Sequence, residues 1–308
     1  MSGAGGGGGG APSADRLVLL GTKGGPAIRP GGAAMPTSSL LEIGGRRVVV
    51  DCGLGVTRGL VDAGMDLRDL DLIVVTHLHS DHVLELGPLL HTAWTAGLSR
   101  AVEVVGPPGT AAVWEGFLAS LSFDVGLRIE DEGRLDLRGL VRVREHGEGP
   151  AALDGLSAEA LRVDHPPVTD CFAWSFEAGG WRVVFSADTA RFPPLAAFAR
   201  GADVLVHEAM LAAGVDRIVA RSSGGERLRA HIARSHTEAA DAARIAAEAG
   251  VGHLVLHHLI PADDPAVTEA DWLAAVRPHF DGPVTVGRDG SSLGRSPALA
   301  GRLAEAPP

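Results

Sequence analysis

Few stretches restrict a chain as tightly as Val74-Val75-Thr76-His77-Leu78-His79-Ser80-Asp81-His82. Three imidazoles and a carboxylate fall within six residues, directly after the apolar run Leu72–Val75. Groups of this kind lose hydration when held close together, and a divalent cation is the usual compensation. The bland reading is a solvated His-rich turn. Against it, the β-branched strand feeding straight into the cluster argues for a fixed strand end. A fold that accommodates this chain must therefore end a strand here and leave room for metal beside His77, His79, Asp81 and His82.

The 308 residues allow one large α/β domain or two small ones. A hydrophobic content of 45% with 21% charged residues describes a globular chain, and no apolar run approaches the ~20 residues of a membrane span. Two cysteines, Cys52 and Cys171, lack the spacing of a zinc knuckle or redox pair, and a reduced, cytoplasmic setting is expected. Residues 1–15 hold a glycine run without the features of a secretory signal and are expected to be a disordered tail. One ordered domain is expected over 16–295, with a C-terminal tail over 296–308. The net charge of −11 sets nucleic acid aside as a partner, because a phosphate backbone would be repelled except at a local basic patch or through metals. A small-molecule substrate is expected instead.

Along the chain, Arg16–Leu20 reads as a strand, followed by a Gly/Pro-rich loop to Pro36. Leu40–Ile43 and Arg46–Val50 read as a hairpin across Gly44-Gly45. Strands are expected at Leu72–Val75, Val102–Val105, Leu140–Val143, Leu161–Val163, Phe172–Phe176, Trp181–Phe185, Val204–His207 and Leu254–His257. Helices are expected at Gly59–Ala63, Leu84–Leu98, Pro194–Ala199, Arg217–Ala233 and Thr237–Ala249. Two packed sheets covered by helices follow, with chemistry at strand ends. Three later points fit that rule: His165, Asp188 and the pair His257-His258 each come after an apolar run.

With those residues in view, the chain resembles the metallo-β-lactamase-fold hydrolases, in the branch of ribonuclease Z and the arylsulfatase-like phosphodiesterases, over about residues 16–290. The resemblance is carried by Leu20-Gly-Thr-Lys-Gly-Gly-Pro26, Val50-Asp-Cys-Gly53, Thr76-His-Leu-His-Ser-Asp-His82, His165, Ser186-Ala-Asp-Thr189, His207-Glu-Ala209, His236 and Leu256-His-His258. It implies an α/β fold, a four-layer αββα sandwich of two mixed β-sheets flanked by helices. It implies one metal on His77, His79 and His165, and a second on Asp81, His82 and His258, with Asp188 bridging. Two Zn2+ are expected, with Mn2+ or Fe2+ as substitutes. Asp51 is a candidate to orient a ligand imidazole, although a simple strand-end turn explains it equally well. His258 is preferred to His257 on side-chain alternation. Ala187 replaces the glycine usual before the bridging aspartate.

The resemblance further implies a proton relay of Glu208 and His236, with Asp81 positioning the nucleophile. The expected reaction is hydrolysis of a small-molecule ester by a bridging hydroxide, with a phosphodiester or aryl sulfate ester favoured. Precursor tRNA cleavage ranks lower because only 22 residues separate His165 from Asp188, too few for the protruding arm that activity usually employs. Hydrolysis of a carboxylic ester, lactone or thioester ranks below the favoured esters as well, as does a non-catalytic metal-binding module. A homodimer is expected from the same resemblance. His91, His146, His207, His231, His253 and His279 are expected to be structural or exposed. Arg221–Arg229 reads as a solvated loop, or else as a lid.

Overall fold

A computed structural model describes residues 15–295. Except for Asp15, the two expected tails lie outside these residues. The chain runs through β1 (Arg16–Gly21), β2 (Ser38–Ile43), β3 (Arg46–Val50), β4 (Leu72–Val74), β5 (Val102–Gly106) and β6 (Val141–Glu145). It continues through β7 (Gly149–Leu153), β8 (Leu156–Arg162), β9 (Phe172–Ala178), β10 (Trp181–Phe185), β11 (Val204–Met210), β12 (Leu254–Ile260), β13 (Val284–Val286) and β14 (Ser292–Gly294). Two seven-stranded mixed sheets result, in the orders β14-β1-β2-β3-β4-β5-β6 and β13-β12-β11-β10-β9-β8-β7. Each begins with antiparallel pairs and becomes parallel at β3–β6 or at β10–β13. The last strand, β14, returns to pair antiparallel with β1.

The layering follows from strand alternation. In β4, Leu72 and Val74 face the second sheet in a cluster with Leu41, Val50, Trp174, Phe176, Val183 and Val206. Ile73 and Val75 face the other way, against Leu60, Leu90 and Trp94. The outer face of the second sheet packs Val184, Leu205 and Leu254 against Leu195, Ala243, Ile245 and Trp272 from its covering helices. Helix, sheet, sheet and helix give the four-layer αββα sandwich expected from the sequence. Among the described residues no helix is long and apolar enough to cross a membrane.

Several boundaries depart from the sequence-based expectation. The helix expected over Arg217–Ala233 is two helices, Ala212–Ala220 and Gly225–Ser235, broken where Gly225 takes a φ of 51° that interrupts a continuous helix. The expected Leu84–Leu98 helix is Ser80–Val83 followed by Leu86–Thr95. Leu140 closes a short helix, Leu137–Leu140, and β6 starts one residue later. The hairpin across Gly44-Gly45 is present, with φ of 57° and 77° at the two glycines.

Candidate metal centre and its surroundings

Parallel strands present their carboxyl ends to one side, and the polar residues of the chain gather there. Asp51 follows β3, the His77–His82 segment follows β4, Asp188 follows β10, and Glu208 and His258 lie near the carboxyl ends of strands β11 and β12. His165 comes after β8, and His236 caps the end of helix Gly225–Ser235. His77, Asp81, His82, His165, Asp188, Glu208 and His258 are buried, while His79 and His236 are partly exposed.

His79 Nδ1 lies 3.1 Å from both His77 Nε2 and His165 Nε2. Tetrahedral nitrogens bound at ~2.0–2.1 Å would stand roughly 3.3 Å apart, so the spacing suits a shared cation. On the other side, Asp81 Oδ2 is 3.3 Å from His258 Nε2 and 3.6 Å from His82 Nε2. Asp188 Oδ2 reaches both groups, at 3.1 Å from His258 Nε2, 3.3 Å from His82 Nε2, 3.8 Å from His77 Nε2 and 3.9 Å from His165 Nε2. Thus His77, His79, His165 and Asp188 form one set able to hold a metal ion, and Asp81, His82, Asp188 and His258 form another.

Electrostatics agrees with the geometry. Burial lowers the His77 imidazole and brings His165 down to about 4, leaving neutral rings with a lone pair to donate. Burial alone would raise Asp188, but His258 and His82 outweigh it and hold the carboxyl well below its usual range. Burial likewise pulls His82 down, yet Asp188, Asp51 and Asp81 together push it well up. A site that calls for positive charge between these groups suits divalent cations. Asp188 Oδ1 and His82 Nε2 are also buried without a hydrogen-bond partner, which is costly unless something else satisfies them. The donor set therefore fits a pair of metal ions.

The surroundings fix these groups. Asp51 Oδ2 accepts from His82 Nδ1 at 2.8 Å, while Asp51 Oδ1 accepts the Thr76 N–H at 2.8 Å. That bond commits the other ring nitrogen of His82 to the cluster. The backbone N–H of Gly25 donates to Asp81 Oδ2 at 2.8 Å, so the Gly-rich loop braces the carboxylate. Gly24 beside it cannot be larger, since a Cβ there would lie 2.5 Å from Ile260 Cγ1 and 2.9 Å from the His258 ring. His258 sits at φ 43°, and the ladder between β11 and β12 slips between Glu208 and Ala209. The expected regular alternation is therefore interrupted, but His258 still turns toward Asp188 while His257 Nε2 meets the Gly21 carbonyl at 2.9 Å. Ala187, at φ 56°, occupies a conformation that glycine adopts more readily.

Glu208 and His236 meet as a pair, with His236 Nδ1 2.9 Å from Glu208 Oε2. Glu208 Oε1 accepts the Thr189 N–H at 2.5 Å. Burial, then the nearby Asp188, raises Glu208, and burial lowers His236. His236 opens onto a cavity of about 420 Å³ that also reaches His79, Asp81, Asp188 and His258. His231 lines it too, with its ring 6.3 Å from that of His79 and 6.2 Å from that of His236. Sequence alone places His231 among structural or exposed histidines, and only its helical position before His236 could point to the cavity. Arg221, Ser222 and Leu228, from the stretch expected to be a solvated loop, are wall residues.

Fold and donor set together define a metal-dependent hydrolase, and the chain belongs to the metallo-β-lactamase superfamily: residues 46–259 match its Beta-lactamase superfamily domain. More particularly, it is 35% identical to ribonuclease Z of Mycobacterium bovis (strain BCG / Pasteur 1173P2) over 89% of this chain and 95% of that protein. It is 36% identical to ribonuclease Z of Mycolicibacterium paratuberculosis, again over 89% and 95%. Similar solved structures include the metallo-beta-lactamase fold protein YhfI from Bacillus subtilis, at TM-score 0.66 and 21% identity over 91% of this chain and 99% of that one. Human tRNase Z, short form, aligns at TM-score 0.60 and 19% identity over 90% and 98%.

These relatives overturn the expectation that nucleic acid is not a partner, since proteins similar across most of the chain are named for a ribonuclease. The physical error lies in reading a local potential from a whole-chain charge. Screening confines each charge to a Debye length of roughly 8–10 Å, so a net −11 does not set the field at a cluster that attracts cations.

Proposed function

We propose that the protein is a dinuclear metal-dependent phosphodiesterase acting on RNA. His77, His79 and His165 would hold one cation, Asp81, His82 and His258 the other, and Asp188 would be shared. Their nitrogen and oxygen donors favour zinc, with manganese or iron as substitutes. Bound there, the cations would supply Lewis acidity toward phosphoryl oxygens and ready a water for attack near neutral pH. Asp81, held by the Gly25 N–H, orients the nucleophile's side of the site. His236 carries a proton toward the departing oxygen, and Glu208 holds its Nδ1 so that Nε2 is the nitrogen available to substrate.

The observation that carries this reading is the Glu208–His236 pair, at 2.9 Å, opening onto the same cavity as Asp188. A general acid matters most for an alkoxide, the poor leaving group of an RNA chain. With metal-replete protein, His236→Ala should slow cleavage of an RNA bearing a 3′ trailer about 10²- to 10⁴-fold. It should slow bis(p-nitrophenyl) phosphate far less. Equal losses on the two substrates would remove His236 from the acid role.

Small phosphodiesters are the second reading. It is favoured by the short connection from His165 to Asp188, which holds the loop over 166–171, β9 and β10 with their Gly179-Gly180 turn. A higher kcat/KM on bis(p-nitrophenyl) phosphate than on the RNA would select it, and p-nitrophenyl sulfate in the same series tests sulfate esters.

A further inference from the structure

The cavity beside the metal ligands has two unlike sides. One is the polar floor of His79, Asp81, Asp188, His236 and His258. The other is mainly aliphatic, formed by Ile218, Leu228 and Ile232 from helices Ala212–Ala220 and Gly225–Ser235 and by Ile260 at the end of β12, with Arg221 and Ser222 between the two helices. A separate small core of Met210, Val215, Val219, Ile232 and Ile260 fixes these two helices to the second sheet.

Cations at the rim are largely committed to carboxylates. The Lys23 ammonium is paired with Asp263, and Asp264 holds Arg217 closely with Arg221 at 3.7 Å. Only Arg29, on the Gly-rich loop, lines the cavity with no side-chain partner among the described residues. A charged substituent laid along Ile218, Leu228, Ile232 and Ile260 would lose water without a partner among those four side chains. An uncharged one would gain by covering the wall. A volume of about 420 Å³ is of the size that small organic groups fill.

We propose that the wall of Ile218, Leu228, Ile232 and Ile260 is a specificity subsite for an uncharged organic substituent carried by the scissile phosphorus. This deepens the phosphodiesterase reading and rests on it. The occupant is committed by continuity, since the wall and the ligand cluster share one cavity and the phosphorus must lie at the latter. A nucleoside and a simple aryl or alkyl group share this chemistry.

The test is a series of p-nitrophenyl phosphodiesters whose second ester is methyl, butyl, 3-carboxypropyl, phenyl or 5′-thymidyl, assayed for kcat/KM with metal-replete protein. Butyl and phenyl should exceed methyl on the order of 10-fold or more, by covering apolar surface. The carboxypropyl ester should fall well below butyl at similar length. Thymidyl above phenyl assigns a nucleoside as the occupant, the reverse a simple aryl group, and either supports the subsite. Leu228→Gln and the milder Ile218→Thr, each checked for unchanged melting, should collapse the butyl-to-methyl ratio.

Equal values for methyl and butyl, or an unaltered ratio in both variants, would overturn the subsite. If neither these diesters nor the trailer RNA is hydrolysed, the phosphodiesterase reading fails by itself. Calorimetric binding of methyl-, butyl- and phenylphosphonate to the metal-replete protein then decides the subsite independently. Affinities that do not rise along that series overturn it.

Discussion

The two sheets bring ligands to the centre by different means. The first supplies His77, His79, Asp81 and His82 from one short segment after β4, locked by Asp51 and Thr76 hydrogen bonds. The second supplies His165, Asp188 and His258 from three separate strand ends, with Ala187 and His258 in left-handed backbone at φ 56° and 43°. A contiguous segment places its donors through local geometry and needs little else. Dispersed donors depend on the whole second sheet being correctly packed, whereas left-handed backbone occurs on both sides, since Asp51 beside the first segment has a φ of 64°.

The comparison is broken most directly by deleting one donor from each side. Asp188→Ala removes the group common to both sets and should lower kcat/KM ~10³-fold or more. It should also leave less bound metal, by elemental analysis, than His79→Ala, which touches one set. Equal metal contents in the two variants would mean that Asp188 is not shared.

A buried imidazole away from the cluster tests the packing of the second half. Burial holds His207, in β11, down at about 4 from an ordinary 6.5. A lowered histidine contributes stability in full above about pH 6.5, and that contribution is lost as pH falls toward 4, because the unfolded chain binds the proton first. The contribution amounts to about 3 kcal/mol. Denaturant melts of chelated His207→Asn should show a flatter profile over this window, by one proton.

The first half is sharpened by Asp51→Asn, which keeps the shape but weakens the acceptor for His82. Metal affinity should drop about 10- to 100-fold, read by competition with a chromophoric chelator. Smallest is Ala187→Gly. Relief of the left-handed alanine should stabilise the fold by about 1 kcal/mol in thermal melts, with catalysis little changed.

The same asymmetry governs what is legible in the sequence. Ligands of the first half stand side by side, and burial of both faces of β4 leaves a continuous apolar run before them. Those of the second half are legible only as single polar residues after such runs, and grouping them rests on family resemblance. The choice of His258 over His257 agrees with where the rings point, although the ladder slips and the alternation behind the choice is irregular. Helix Thr110–Ser120 leaves no clear sequence signal because its apolar residues are spread around the helix without one dominant stripe, and Ser122–Glu132, although amphipathic, buries only Val125 and exposes Phe123. β7 carries Pro150 at a sheet edge, and β14 is only three residues long. Their partners, rather than their own residues, make them strands. His231 faces the cavity only because two helices fold over the second sheet, an arrangement set by long-range packing.

The pairing of β14 with β1 brings Arg295 N to 3.0 Å from the Asp15 carbonyl. The described polypeptide is therefore nearly a closed ring. A short bridge between these two positions, with new ends opened in a surface turn such as Gly44-Gly45, should give a circularly permuted enzyme that keeps both sheets.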